Sequence, residues 1–144
     1  MKEYYEILKL AVHAHGDQKD WSGDPYILHP IIVAKSLHNS DIFYQKAALL
    51  HDVVEDTNIT LNDLAIFGER MVNAIDALSR RKGKETYFEY IDRLTKNKDA
   101  VIIKVADLKH NLSRMGNVTD NDNKKISMTK KYNKALKIVE KAYK

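Results

Sequence analysis

The stretch Ala48-Leu-Leu-His-Asp-Val-Val-Glu-Asp-Thr57 sets four ionisable side chains, His51, Asp52, Glu55 and Asp56, into a run that otherwise reads as core helix. At about 100° per residue these four fall within an arc of roughly 140°, while Leu50, Val53 and Val54 point the other way. One face is built for burial and the other for chemistry. Such a cluster is costly to hold in a fold unless something binds it.

The pattern on either side is also helical. Tyr4, Ile7, Leu8, Ala11 and Val12 recur at helical intervals and run into His13-Ala-His-Gly16, where glycine closes a helix. Residues 17–26, with Gly23 and Pro25, read as a loop, and Pro30 suits the first turn of a helix reaching Leu37, which puts His29 at a helix start. Asp41 caps the helix that carries Ala47, Leu50 and Val54 inward, and Thr60-Leu-Asn-Asp63 resembles a capping box with Asp in place of Glu. Met71, Val72, Ile75 and Leu78 form the next stripe after Gly68, and Tyr87, Tyr90, Ile91 and Leu94 another after the basic connection Arg80-Arg-Lys-Gly-Lys84. Asp99 caps a helix through Leu112 that carries two stripes on nearly opposite sides: Val101, Val105, Leu108 and Leu112, against Lys104, Asp107, Asn111 and Arg114. The last helix spans about residues 122–143, with Met128, Tyr132, Ala135, Val139 and Ala142 as its inward stripe.

With 144 residues the chain fits a single domain, 1–144, and five Gly and two Pro offer little punctuation for a sheet of many strands. The expected fold is an all-α bundle of about six to eight helices. Cys is absent, which excludes disulfides, thiolate nucleophiles and cysteine-ligated metals, so any metal must use His and carboxylates. No window reaches the roughly 18 apolar residues of a membrane span, so no membrane is expected and the cytoplasm is the default location. The net charge of +4 is a local excess, because eight lysines lie in residues 124–144, and the inward stripe there reads as a docked helix with a solvated face. A nucleic-acid partner is disfavoured, since no aromatic interleaving accompanies those lysines. The oligomeric state stays open.

His29, His51, Asp52 and Asp107 offer mixed nitrogen and oxygen donors of the kind that bind a divalent first-row ion. Four protein ligands would leave octahedral positions for water and substrate, and such an ion acidifies a water and polarises a phosphoryl oxygen. Glu55 and Asp56 stand on the same helix, placed to orient that water and exchange protons. Lys104, Arg114, Arg80, Arg81, Lys82 and Lys19 could neutralise a polyphosphate, Lys104 and Arg114 foremost, since they share the stripe of Asp107. The plainer alternatives are a hydrogen-bonding His29 at a helix start and a surface carboxylate at Asp107. His13, His15 and His38 take a structural reading, and His110 a packing or indirect one.

Ala14-His-Gly-Asp-Gln18, Ser22-Gly-Asp-Pro-Tyr-Ile-Leu-His-Pro30, the 48–57 stretch and Ile103-Lys-Val-Ala-Asp-Leu-Lys-His-Asn111 follow one another in an order that resembles the HD-domain phosphohydrolases. The resemblance is to the hydrolase domain of RelA/SpoT-type alarmone enzymes and their stand-alone small relatives, over roughly residues 5–115. It implies an all-α bundle that binds one divalent ion, usually manganese, and removes the 3′-pyrophosphate of guanosine tetra- or pentaphosphate, a small-molecule nucleotide. His29, His51, Asp52 and Asp107 match the family's metal ligands, Glu55 and Asp56 its catalytic acidic pair, Asn111 a residue contacting the nucleoside, and Ser22 and Tyr26 residues lining the nucleotide side. The chain departs from the family at Asp20-Trp21, where an Arg-Lys pair is usual, and at Arg114, where a threonine is common. Trp21 could stack on a base in place of the arginine, and Asp20 is expected to repel phosphate. Two further readings stay open: an HD phosphatase acting on another nucleotide, and a binding module for a nucleotide or nucleic acid that performs no turnover.

Overall fold

A computed structural model of the chain describes residues 1–115 and 122–143, so residues 116–121 and 144 of the expected single domain lie outside the described residues. The elements are α1 (Lys2–His15), α2 (Leu28–Ser36), α3 (Ile42–Leu50), α4 (Val53–Asp56), a 3-10 turn (Asn62–Phe67), α5 (Glu69–Leu78), α6 (Tyr87–Leu94), α7 (Lys98–Ser113) and α8 (Asp122–Lys141). Among the described residues there is no β-strand, and one isolated bridge joins Lys19 to Pro25 in the loop before α2. The all-α expectation holds.

Local chemistry sets most helix ends. Gly16, with φ of 56°, closes α1 in a backbone region that side chains disfavour. The Asp41 carboxylate accepts from Phe43 N at 2.9 Å and starts α3. Thr60 and Asp63 exchange the two bonds of a capping box, at 2.8 and 3.2 Å, and Thr86 and Glu89 do the same at the start of α6. The cap of α7 is Asn97, whose side chain accepts from Ala100 N at 2.9 Å. The expected cap, Asp99, instead lies in the first turn, where it receives two bonds from Arg70, at 2.9 and 3.0 Å. The helix thus starts two residues earlier than expected, and because Arg70 also covers the Phe43 ring at 3.8 Å, Asp99 ties α7 to α5 and, through Arg70, to α3.

The central stretch is not one helix. α3 ends at Leu50, His51 and Asp52 form a turn, and α4 resumes at Val53. The carbonyl of Ala48, which in a continuous helix would accept from residue 52, is taken by His51 N at 3.3 Å and by the His51 ring at 2.6 Å. The break swings the His51-Asp52 pair away from the ideal helical face.

α7 runs through the middle of the molecule, packed on α2, α3, α5 and α8. Ile103 and Leu108 are fully buried in it, and they meet a core of Ile7, Val33, Leu49, Leu50, Ile75, Ile91 and Leu94 from the surrounding helices. Each such side chain contributes about 1.5–3 kcal/mol through removal from water. The second stripe of α7 is buried too: Lys104 is 9% and Asp107 3% exposed. A lysine and an aspartate in the interior require partners, and the candidate site supplies them.

Candidate active site

The site is assembled from short pieces of four helices. His29 comes from the first turn of α2, His51 and Asp52 from the break between α3 and α4, Glu55 and Asp56 from α4, and Lys104, Asp107 and Asn111 from α7. His29 Nε2 lies 2.8 Å from Asp107 Oδ1 and 3.9 Å from Asp52 Oδ2. His51 Nε2 lies 3.0 Å from Asp52 Oδ2 and 3.4 Å from Asp107 Oδ1. Ligand atoms of His29, His51 and Asp107 all fall within 4.8 Å of one another. Asp52 Oδ2 lies beside this group, within 3.9 Å of both imidazoles.

Three observations test whether a cation fits there. The Ala48 carbonyl can only accept, so the His51 proton must sit on Nδ1, and a neutral ring turns an Nε2 lone pair inward. That Nε2 atom is buried and has no aligned hydrogen-bond partner, although Asp52 Oδ2 is close. Asp52 and Asp107 also face the single ammonium of Lys104, which bonds Asp107 Oδ2 at 2.9 Å, so the His51 ring must take up a proton to balance the second carboxylate unless a cation does. Burial pulls the His51 ring toward its neutral form, but Asp52 and Asp107 outweigh burial and hold its pKa well above the ordinary value. Burial likewise raises Asp107, yet Lys104 and the two imidazoles hold it well below the carboxylate range. The centre therefore demands positive charge, and the donor set suits a divalent first-row ion.

Surrounding bonds aim the ligands. The Tyr26 hydroxyl, kept protonated by burial and by Asp52, donates to Asp52 Oδ2. His29 Nδ1 meets His110 Nδ1 at 2.7 Å, a distance that requires a proton between them. Burial, with His29 and Arg114 nearby, lowers His110 to about 4, so its neutral ring can accept from His29 Nδ1, while His29 Nε2 faces Asp107 Oδ1 at 2.8 Å. Asn111 donates to Asp107 Oδ1 at 3.2 Å.

Beside this centre lies a cavity of about 220 Å³. Tyr26, His29, Asp52, Asp107, Glu55 and Asp56 line one part of it, together with Lys104 and Asn111. Glu55 Oε1 accepts from Arg80 N at 2.7 Å, and Asp56 Oδ1 from the Lys82 ammonium at 3.3 Å. Burial is the main cause that raises both carboxyls, and Asp52 adds to it. They are thus biased toward holding a proton. Asp56 is tied further: Gln18 Nε2 donates to its carbonyl at 2.8 Å, and the same glutamine's Oε1 is bonded by His15 Nδ1 at 3.0 Å.

Three of the expected substrate residues stand back from the cavity lining. Trp21 is 42% exposed, and the Arg114 guanidinium lies 4.5 Å from its ring centre. Arg114 also bonds Asn111 Oδ1 at 2.8 Å and Asp20 Oδ2 at 3.4 Å. Asp20 is therefore a partner of Arg114 and of the loop amides Ser22 N and Asp24 N, at 2.8 and 3.0 Å, and Ser22 itself is exposed. Of the other basic candidates, Arg80 and Lys82 line the cavity, whereas Arg81 pairs with Asp76 and Lys19 sits in the loop bridge. Sequence reasoning missed Tyr87, Tyr90, Lys131 and Tyr132, which complete the lining from α6 and α8. The available signal was Tyr132 in the inward stripe of α8, which brings its neighbour Lys131 with it.

No protein-family model matches the chain. It is 33% identical over 140 residues to the bifunctional (p)ppGpp synthase/hydrolase SpoT of Escherichia coli K12, a match covering 88% of this chain and 20% of that protein. It is 33% identical over 131 residues to the guanosine-3′,5′-bis(diphosphate) 3′-pyrophosphohydrolase of Vibrio cholerae serotype O1, covering 82% of this chain and 19% of that protein. The chain thus spans about a fifth of the length of the curated relatives it matches. A solved structure of a metazoan orthologue of SpoT that hydrolyses ppGpp and plays a role in starvation responses superimposes with a TM-score of 0.87, at 26% identity, over 99% of this chain and 88% of that one. By sequence over most of its length and by fold over nearly all of it, this chain is a homologue of the SpoT-type (p)ppGpp hydrolases.

Proposed function

We propose that this chain is a single-domain, metal-dependent hydrolase that removes the 3′-pyrophosphate from (p)ppGpp or a closely related nucleotide. The observation that carries it is the convergence of His29, His51, Asp52 and Asp107 beside a cavity that also holds Glu55 and Asp56. The named activities of the relatives support the substrate class. Manganese as the ion rests on the family resemblance, and a cytoplasmic location on the sequence reading; no helix among the described residues is long and apolar enough to cross a membrane.

His29, His51, Asp52 and Asp107 would hold the ion, which when bound supplies Lewis acidity at the phosphoryl group and favours ionisation of water. Glu55 or Asp56 takes a proton from the attacking water, and the new P–O bond forms as the bond to the ribose O3′ breaks. A proton then passes to the departing O3′, so a nucleoside 5′-di- or triphosphate and pyrophosphate are released. Lys104 keeps Asp107 ionised, and Tyr26 and the Ala48 carbonyl fix the orientations of Asp52 and His51.

The test is pyrophosphate release from ppGpp by manganese-loaded protein, read together with metal content. Asp52→Ala should lose both the ion and the activity. Glu55→Gln should keep the ion and lose activity by 10²-fold or more, on the order of a general base's contribution. A folded, metal-loaded wild-type chain that releases no pyrophosphate ends the proposal.

The Asp20–Arg114–Trp21 arrangement, which replaces the family's usual Arg-Lys pair, favours one second reading, a phosphatase acting on another nucleotide. Inorganic phosphate as product, in place of pyrophosphate, identifies it.

A further inference from the structure

The part of the cavity lining supplied by the α5–α6 connection, α6 and α8 is short of acceptors. Lys104 and Lys82 have carboxylate partners in Asp107 and Asp56, but among the described residues Arg80 and Lys131 make no ion pair. Arg80 Nη2 donates to Glu85 O at 3.4 Å, but Arg80 Nε is buried without a hydrogen-bond partner, and so is the Tyr87 hydroxyl. The Lys131 ammonium rests on two ring faces, 4.7 Å from the centre of Tyr87 and 5.3 Å from that of Tyr132. These groups come from the α5–α6 connection, α6 and α8, and all line the same cavity.

From this juxtaposition of unsatisfied donors we infer that Arg80, Tyr87 and Lys131 form an oxyanion site for the phosphate group of the substrate that is not cleaved. An oxyanion with several acceptor atoms would satisfy the guanidinium, the hydroxyl and the ammonium together, as charge-assisted bonds favour. Burial pushes the Tyr87 phenol up to about 12, so it keeps the proton it would donate. Burial, then Arg80 and Lys104, lowers the Lys131 ammonium, and an anion placed between these cations would relieve that repulsion. The aromatic faces under Lys131 hold its charge in place without neutralising it. This assignment rests on the proposed hydrolase reading, in which the metal centre engages the reacting phosphate and these donors are left for the other end of a doubly phosphorylated nucleotide.

The test uses the full chain in chelator, so that no cation at the centre contributes, and calorimetric titration with GDP, guanosine and pyrophosphate. GDP should bind more tightly than guanosine. Lys131→Ala should weaken GDP by about tenfold or more, and Tyr87→Phe by a few-fold, with guanosine unchanged in both. Lys131→Arg should retain most of the affinity. GDP affinity unmoved by both Lys131→Ala and Tyr87→Phe would overturn the assignment. So would pyrophosphate binding as tightly as GDP and losing as much in Lys131→Ala, because these donors would then serve a free anion. A chain that released no pyrophosphate from ppGpp but lost GDP on Lys131→Ala would end the hydrolase reading and support this site as a nucleotide-phosphate site.

Discussion

At Glu55 the demands of folding and chemistry pull apart. Its carboxyl is raised mainly by burial, so a proton is held more tightly in the fold than in the unfolded chain. Such a group favours the folded state below its unfolded pKa, and that contribution is lost as pH rises through the folded value. At neutral pH the ionised form therefore burdens the fold. Glu55→Gln, which keeps an oxygen to accept from Arg80 N, should melt at the wild-type temperature or above while activity is lost. The kinetic counterpart is an acid limb in kcat that lies above the ordinary 4.5 of a glutamate, since the base form is needed and is populated only above the raised pKa. A pH–rate profile still flat at 4.5 would assign the proton transfer elsewhere. Lys104 and Asp107 were legible as a pair because their spacing fixes them on one helical face. Lys131 was not, because its value depends on α8 crossing α6 so that the ammonium meets Tyr87, and no local pattern encodes that crossing.

Among the elements, the capping signals read best, because a cap is a bond between residues two or three apart. Asp41 starts α3 as its sequence suggests, and Asp41→Ala should cost about 1 kcal/mol in denaturant unfolding. Asn97→Ala should cost a similar amount at α7, whereas the sequence alone favoured Asp99 for that role. The break after α3 was not legible for a different reason. The 48–57 stretch has the composition of a continuous helix, and it ends where the His51 ring and the His51 N–H together take the Ala48 carbonyl. A side chain competing for a backbone acceptor leaves no trace in hydrophobic periodicity.

Across the whole molecule the candidate ligands join segments that are distant in the chain: α2, the α3–α4 break and α7. A cation held there would bind the folded state and not the unfolded one, so stability should track its free concentration. Adding manganese at 100 times its dissociation constant should stabilise by about 2.7 kcal/mol, and a chelator should reverse the gain, both read as shifts in melting temperature. The same change should vanish in Asp52→Ala. Fold class was legible from composition and stripes, since both report burial. The full cavity was not, because part of its lining is contributed by a helix whose lysines look solvated when α8 is read alone.

Gln18 gives the loop that carries Trp21 a mechanical link to the acidic pair. Its side chain donates to the carbonyl of Asp56 while its main-chain carbonyl receives Tyr26 N at 2.8 Å, so one residue joins the loop that carries Trp21 to the end of α4. On the proposed hydrolase reading, a nucleobase that displaces the loop would pull on Glu55 and Asp56 through this link. Gln18→Leu should uncouple the two, leaving metal content intact but flattening the difference in kcat between preferred and non-preferred bases. Discrimination between bases by the proposed hydrolase would then be set by the stiffness of a single strut as well as by what the base touches.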